Sequence, residues 1–186
     1  ELGKPLIHAA NKIDRPTSKE NLKKLIQAYG EDSIIPTSAA VEIFLQKLNE
    51  KHLISYNSKL GSFEILDDSE LKSQELNILE KAKGEILEPY GSTGVLRTLN
   101  NAAFNALKLI VVYPVADTAK FSDHDGRVLP DAFLVPKGTT ARGLAEIIHQ
   151  DLAKNFIHAI DAKTKRRLAE NHELNDGDII RIVSAA

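Results

Sequence analysis

Apolar residues change their spacing several times along the chain, and each change marks a different kind of element. Near the start, Leu6-Ile7-His8-Ala9-Ala10 is a short apolar run of the length of a buried strand. Leu22, Leu25, Ile26 and Tyr29 then recur at i, i+3, i+4 and i+7, the stripe of an amphipathic helix. Thr17 and Glu20 have capping-box spacing before it, and Gly30 stands where such a helix stops. Ser33-Ile34-Ile35-Pro36 reads as a second strand, running into Thr37-Ser38-Ala39. With the usual right-handed crossover the two strands are parallel, and the loops that follow them are neighbours.

From Val41 to Leu107 helical spacing dominates. Val41, Phe44, Leu45 and Leu48 share one face, while Leu53 to Leu66, with Gly61 in a turn-rich centre, reads as a small hairpin. A longer helix is expected from Ser69 to Leu87, with Leu76, Leu79 and Ile86 on one side and Lys83 interrupting them. Pro89-Tyr90-Gly91-Ser92 ends it, and Thr93 can cap a further helix carrying Val95, Leu96, Leu99, Ala103 and Leu107. Beyond that the pattern turns to strands. Leu109 to Tyr113 and Ala132 to Val135 are separated by a long loop, Pro136-Lys137-Gly138 turns the chain, and Thr140 caps a helix with Leu144, Ile147, Ile148 and Leu152 on one side. Phe156 to Ile160 and Ile179 to Val183 follow, the last entered from the tight turn Asn175-Asp176-Gly177-Asp178. A strand pair, a helix and a second strand pair is the order of a β-grasp fold. The expected class is therefore α/β plus α+β.

Composition narrows the picture by exclusion. The 186 residues carry a formal net charge of −2 with 42% hydrophobic and 27% charged residues, which does not require a nucleic-acid partner. Cysteine is absent, which removes disulfides, thiolate metal sites and a cysteine nucleophile. No apolar run approaches the ~20 residues of a membrane span. A cytoplasmic protein is expected, with neither membrane nor DNA as partner.

The candidate chemistry lies in Asn11-Lys12-Ile13-Asp14. A carboxylate at Asp14 can accept hydrogen bonds from both the ring N–H and the exocyclic amine of guanine, donors that adenine does not offer in that arrangement. Asn11 can bond the imidazole side of the base, and the Lys12 stem can lie across its plane. The end of a strand is also where open α/β sheets place ligands. By contrast, no G-x-x-x-x-G-K-[ST] occurs, and Gly91-Ser92-Thr93-Gly94 lacks the following lysine, so it reads as a helix-start loop.

With these motifs the chain resembles the Obg-related P-loop GTPases, specifically the YchF-like branch with a carboxy-terminal TGS domain. Asn11, Lys12 and Asp14 match the family's guanine motif, and Thr37-Ser38-Ala39 matches its S-A loop. The stretches from Glu88 to Ile110, Ile148 to Asp151 and Asn175 to Ile182 resemble the lead-in to the TGS domain and the domain itself. The resemblance implies that Ser38 and Ala39 complete the guanine pocket, the Ala39 N–H bonding the six-keto oxygen. Members of the YchF branch proper depart from N-K-x-D and accept adenine nucleotides, so Asp14 implies GTP. It further implies three parts: residues 1–40 as the carboxy-terminal part of a nucleotide-binding domain, 41–107 as a helical connector and 108–186 as a TGS domain. The intact protein would hydrolyse GTP with Mg. This chain would contribute no catalytic residue and would not hold the nucleotide tightly.

Other charged residues have two readings. Lys163, Lys165, Arg166 and Arg167 form either a solvated loop or a contact for RNA phosphates, the latter favoured by a TGS domain's expected place near the ribosome or structured RNA. A nucleotide-independent RNA- or protein-binding module is thus the alternative function. Asp123-His124-Asp125-Gly126 spells D-x-x-G, the magnesium-switch pattern, yet lies after the guanine motif and reads as a turn; no metal site is expected there. His8 reads as a satisfied core histidine.

Overall fold

The computed structural model describes residues 5–185, so the first four residues of the expected nucleotide-binding part and the last of the expected β-grasp part lie outside the described residues. The chain divides into two units, Glu1–Ala106 and Leu107–Ala186.

In the first unit, β1 (His8–Asn11) and β2 (Ile34–Thr37) pair in parallel, with Asn11 opposite Thr37. β1 starts later than the apolar run suggests, because Leu6 is 78% exposed, and it takes in Asn11. The connection is α1 (Ser18–Tyr29), which stops at Gly30, whose N–H bonds the Ile26 carbonyl at 2.8 Å. The expected Thr17 cap does not form. Instead the Ser18 hydroxyl donates to the Ile13 carbonyl at 2.6 Å and ties the helix start to the loop after β1. Of the apolar stripe only Leu22 is buried; Leu25 and Tyr29 remain exposed.

α2 (Ala39–Glu50) buries Val41, Leu45 and Leu48, and the expected hairpin is β3 (Ile54–Asn57) with β4 (Ser62–Ile65). α3 (Ser73–Lys81) begins four residues after Ser69, where the Glu75 carboxylate accepts the Lys72 N–H at 2.9 Å. A π-helical stretch, Ala82–Leu87, and one turn of α4 (Glu88–Tyr90) continue it. Lys83 does not interrupt the apolar side: Leu79, Ala82 and Ile86 follow i, i+3, i+7 spacing and are buried, whereas Lys83 faces solvent. These residues pack with Ile13, Leu45, Leu48, Leu53 and Ile54 in one core. α5 (Val95–Asn100) passes into a second π-helical stretch, Asn101–Ala106.

The second unit is a five-stranded sheet in the order β6-β5-β9-β7-β8, built from β5 (Leu109–Pro114), β6 (Phe133–Pro136), β7 (Phe156–Asp161), β8 (Arg167–Leu168) and β9 (Asp178–Ser184). β5 and β9 run parallel and every other pair is antiparallel. α6 (Ala141–Ile148) packs Leu144 against Val112, Val135, Ala159 and Ile180, all fully buried. This is the β-grasp arrangement. Thr140 caps α6 as expected, accepting the Gly143 N–H at 3.1 Å. The helix is not continuous to Leu152, however. His149 is extended (φ −164°), and its Nδ1 accepts the Asp151 N–H at 3.1 Å to start α7 (Gln150–Lys154). Within α6 the buried side is Ala141, Leu144 and Ala145, and Ile147, expected on it, is exposed. Ala132 precedes β6, and the short β8 adds a strand to the four expected.

Candidate guanine-reading site

The two loops that follow β1 and β2 are joined at their bases, where the Ile13 N–H bonds the Thr37 carbonyl at 3.2 Å. Lys12 turns the first loop with φ +72°, a left-handed conformation that a non-glycine residue adopts at some cost. Its side chain is exposed. On one side of it, the Asn11 Oδ1 accepts the Lys12 N–H at 2.8 Å and the Ala39 N–H at 3.2 Å. Two donors on the oxygen leave the NH₂ end as the outward-facing donor, the polarity that a purine ring nitrogen requires. The Ala39 N–H, which a six-keto oxygen would need, is held by Asn11 at the long end of hydrogen-bond range.

On the other side, the Asp14 Oδ1 accepts the Ser38 hydroxyl at 2.6 Å, and its Oδ2 is 3.8 Å from the Arg15 Nε. Ser38 is fully buried and carries several functions at once. Its Oγ caps α2 by accepting the Val41 N–H at 3.3 Å, while its own N–H donates to the Thr93 carbonyl at 2.8 Å. An ionised carboxylate has about four lone-pair sites, so the Ser38 bond orients Asp14 and still leaves room for two further donors.

Sequence reasoning missed the layer beneath Ser38. Thr93, read as a helix cap, is 2% exposed and caps nothing; Gly94 is the residue at the N-cap of α5. The Thr93 hydroxyl instead donates a short hydrogen bond to the Glu42 Oε2, which also accepts the Tyr56 hydroxyl at 2.8 Å. The remaining Glu42 oxygen accepts from the Gln46 side chain at 2.9 Å. Burial, reinforced by the adjoining Glu42 carboxylate, pushes the Tyr56 phenol above its ordinary pKa, so it stays a donor. Gly94 lets the two backbones touch: a Cβ there would lie 1.9 Å from the Pro36 carbonyl oxygen, and φ is +80°. The glycine-rich Gly91-Ser92-Thr93-Gly94 loop thus braces the S-A loop. The one sequence signal for this was the pair of glycines around a threonine.

Hydrogen bonds bring Asn11, Asp14, Ser38 and Ala39 together, but a single cavity does not. Asp14 borders a space of about 320 Å³ with Ala40, Phe44, Lys81 and Glu85, whereas Asn11 and Lys12 border another of about 400 Å³ with Asn21 and Leu25.

The basic cluster divides into two kinds of side chain. Lys163 Nζ donates to the Gly177 carbonyl at 2.7 Å, and Lys165 Nζ reaches the Thr118 carbonyl and lies 5.5 Å from the Phe121 ring centroid. Arg166 and Arg167 are exposed. Asp123 builds a turn, accepting the N–H groups of Asp125 (2.9 Å) and Arg127 (2.8 Å) and pairing with the Arg127 guanidinium. Burial opposes its ionisation, but the Arg127 hydrogen bonds and charge hold its carboxyl below the usual range. Among the described residues no group of three or more His, Asp or Glu side chains is placed to hold a metal ion. His8 stacks on Tyr29 with ring centroids 4.9 Å apart, and its buried Nδ1 has no hydrogen-bond partner, so it is not the satisfied histidine the sequence suggests.

A family model described as Obg-like GTPase YGR210-like, G4 motif-containing domain matches residues 9–117, more than half of the chain. The chain belongs to this Obg-like GTPase family. A TGS domain model matches residues 125–184, within the β-grasp unit. An uncharacterized GTP-binding protein of Methanocaldococcus jannaschii is 46% identical over all 186 residues, which make up 47% of its length. A second from Schizosaccharomyces pombe is 30% identical over 151 residues, 77% of this chain and 37% of that protein. The chain thus spans less than half the length of these relatives. The crystal structure of a GTP binding protein from Pyrococcus horikoshii OT3 superimposes with a TM-score of 0.72 at 39% identity, covering 97% of this chain and 46% of that one. The Schizosaccharomyces pombe YchF GTPase shares the fold, with a TM-score of 0.52 at 16% identity over 96% of this chain and 43% of that one.

Proposed function

We propose that this chain supplies the base-reading half of a GTP-binding site in an Obg/YchF-like regulatory GTPase. The observation that carries the reading is the Asp14 carboxylate held at 2.6 Å by a fully buried Ser38, beside an Asn11 whose oxygen is spent on the Ala39 N–H. Such a carboxylate rewards a base that offers two adjacent N–H donors. A base lacking them leaves it unpaired, a difference of up to ~10⁴-fold in comparable sites. Lys12 would cover the base, and Ser38 and Ala39 would close the pocket. GTP or GDP with Mg would be the intact protein's ligand, with hydrolysis and phosphate binding carried by residues outside this sequence. This chain alone would hold nucleotide weakly and hydrolyse none. The reading keeps residues 1–40 as the end of a nucleotide-binding domain, 41–107 as its helical connector and 108–186 as the TGS domain, in a cytoplasmic protein. Among the described residues no helix is long and apolar enough to cross a membrane. The deciding experiment replaces Asp14→Asn in the intact protein and compares guanosine with xanthosine triphosphate. Preference should move to xanthosine, and an unchanged preference would overturn the assignment.

A second role, contact with the ribosome or structured RNA, is supported by the TGS unit's exposed Arg166 and Arg167. It is tested by the salt dependence of RNA binding with both arginines replaced.

A further inference from the structure

A depression of about 660 Å³ in the first unit belongs to neither guanine loop, and its walls combine three chemistries. Arg97 and Lys59 supply cations, Tyr90 and Phe104 supply aromatic rings, and Asn100, Asn101 and Asn105 supply amides, with no carboxylate among the lining side chains. One wall is the face of α5 and its continuation, where the lining residues recur in steps of four: Leu96 and Arg97, Asn100 and Asn101, Phe104 and Asn105. An α-helix turns every ~3.6 residues, so a four-residue repeat would drift around it by about 40° per step. The π-helical winding of Asn101–Ala106 takes up the extra residue and keeps Phe104 and Asn105 in line with Arg97. Phe104 is 42% exposed and packs into none of the buried core clusters, so its ring is available.

We propose that this depression binds a nucleotide unit, with the base stacked on Phe104 or Tyr90, its edge met by the asparagine amides and its phosphate by Arg97 and Lys59. Aromatic side chains interleaved with cations and amides are the means by which unpaired bases are held. The volume lies within the ~300–1,000 Å³ range of small-ligand sites. The same chemistry fits a free nucleotide or one unit of a single strand, and the two are separable by experiment.

Adenine probes suit the test, because adenine lacks the paired ring N–H and exocyclic amine donors that the Asp14 carboxylate would accept. A fluorescein-labelled oligoadenylate is titrated into the 186-residue chain and followed by anisotropy, then competed with AMP. Phe104→Leu should weaken binding at least about fivefold, the loss expected for one stacked base. Arg97→Gln should weaken it and lower the salt dependence by roughly one phosphate contact. Competition by AMP at concentrations matching the oligonucleotide assigns the site to free nucleotide, and failure to compete assigns it to a strand. Absence of wild-type binding, or equal binding by wild type and both folded variants, overturns the proposal. The Asp14→Asn variant should bind oligoadenylate as wild type does, so this test stands or falls separately from guanine reading.

Discussion

The hydroxyl of Ser38 reaches the carboxylate of Asp14 at 2.6 Å while its backbone N–H is held by the Thr93 carbonyl at 2.8 Å. One buried residue therefore ties the Asp14 carboxylate to a segment far downstream. Ser38→Ala removes the orienting bond and the cap of α2 together. Loss of such a cap costs about 1 kcal/mol, and guanine affinity of the intact protein should fall as well. Thermal melting and nucleotide titration measure the two effects; a Ser38→Thr variant that keeps the hydroxyl should recover the nucleotide effect more than the stability.

Thr93→Val deletes the donor to Glu42 at nearly constant volume and leaves that carboxylate one partner short. A buried acceptor left unmet costs on the order of 1–3 kcal/mol, so the first unit should melt earlier. Tyr56→Phe should cost less, about 1 kcal/mol, because the half-buried phenol is closer to water. A Thr93→Val variant as stable as wild type would remove Glu42 from the account.

Gly94 and Gly91 share positive φ values of +80° and +74°, but an added Cβ would meet backbone only at Gly94, 1.9 Å from the Pro36 oxygen, and open space at Gly91. Gly91→Ala should cost about 1 kcal/mol, the conformational penalty alone. Gly94→Ala must also push α5 away from β2, and its cost should reach about 3 kcal/mol or more. Denaturant midpoints of the two variants give the comparison directly.

In the second unit Asp161 accepts the Thr164 hydroxyl at 2.6 Å and the Lys163 N–H at 2.9 Å. Burial works against its ionisation, yet these bonds hold the carboxyl below its ordinary value. A depressed carboxylate gives stability that is complete above the unfolded pKa of about 3.9 and is lost as pH falls through the lower folded value. Asp161→Asn should therefore be less stable than wild type at neutral pH, with the gap closing below about pH 4. Urea midpoints across that range report it.

The four residues of the basic cluster should separate in solution. Lys163→Gln and Lys165→Gln break contacts to the Gly177 and Thr118 carbonyls, so the loop should loosen. Arg166→Gln with Arg167→Gln should leave melting unchanged and reduce the salt slope of any RNA binding by about 2. An unchanged slope would place the RNA contact elsewhere or nowhere.

Much of this architecture was legible in the residues. The helix ending at Gly30, the hairpin around Gly61 and the β-grasp order all follow from local spacing and turn chemistry. What escaped depends on partners distant in sequence or on departures from the regular α-helical period. Thr93 looks like a cap because its polar side chain precedes an apolar stripe, but its acceptor is Glu42, 51 positions away. Lys83 looks like an interruption because it holds the i+4 position after Leu79, yet the small Ala82 at i+3 is the residue that fills the core position. His149 breaks a helix that its neighbours would continue, since its ring nitrogen satisfies an N–H of the next one. The residues proposed to read guanine stand in the sequence as a motif; the hydrogen bonds from Ser38 and Thr93 that brace them do not.

Thr93 meets Ser38 through its carbonyl and Glu42 through its hydroxyl, so loop geometry and helix packing cannot vary independently there. Free-energy linkage is symmetrical. On the proposed guanine reading, a base that drew Asp14 and Ser38 into place would tighten α2 and the hairpin by the same free energy that those elements lend to the base. A partner gripping the Tyr56 hairpin would thereby alter how long a nucleotide stays, and the occupied site would advertise itself on a surface that never touches it.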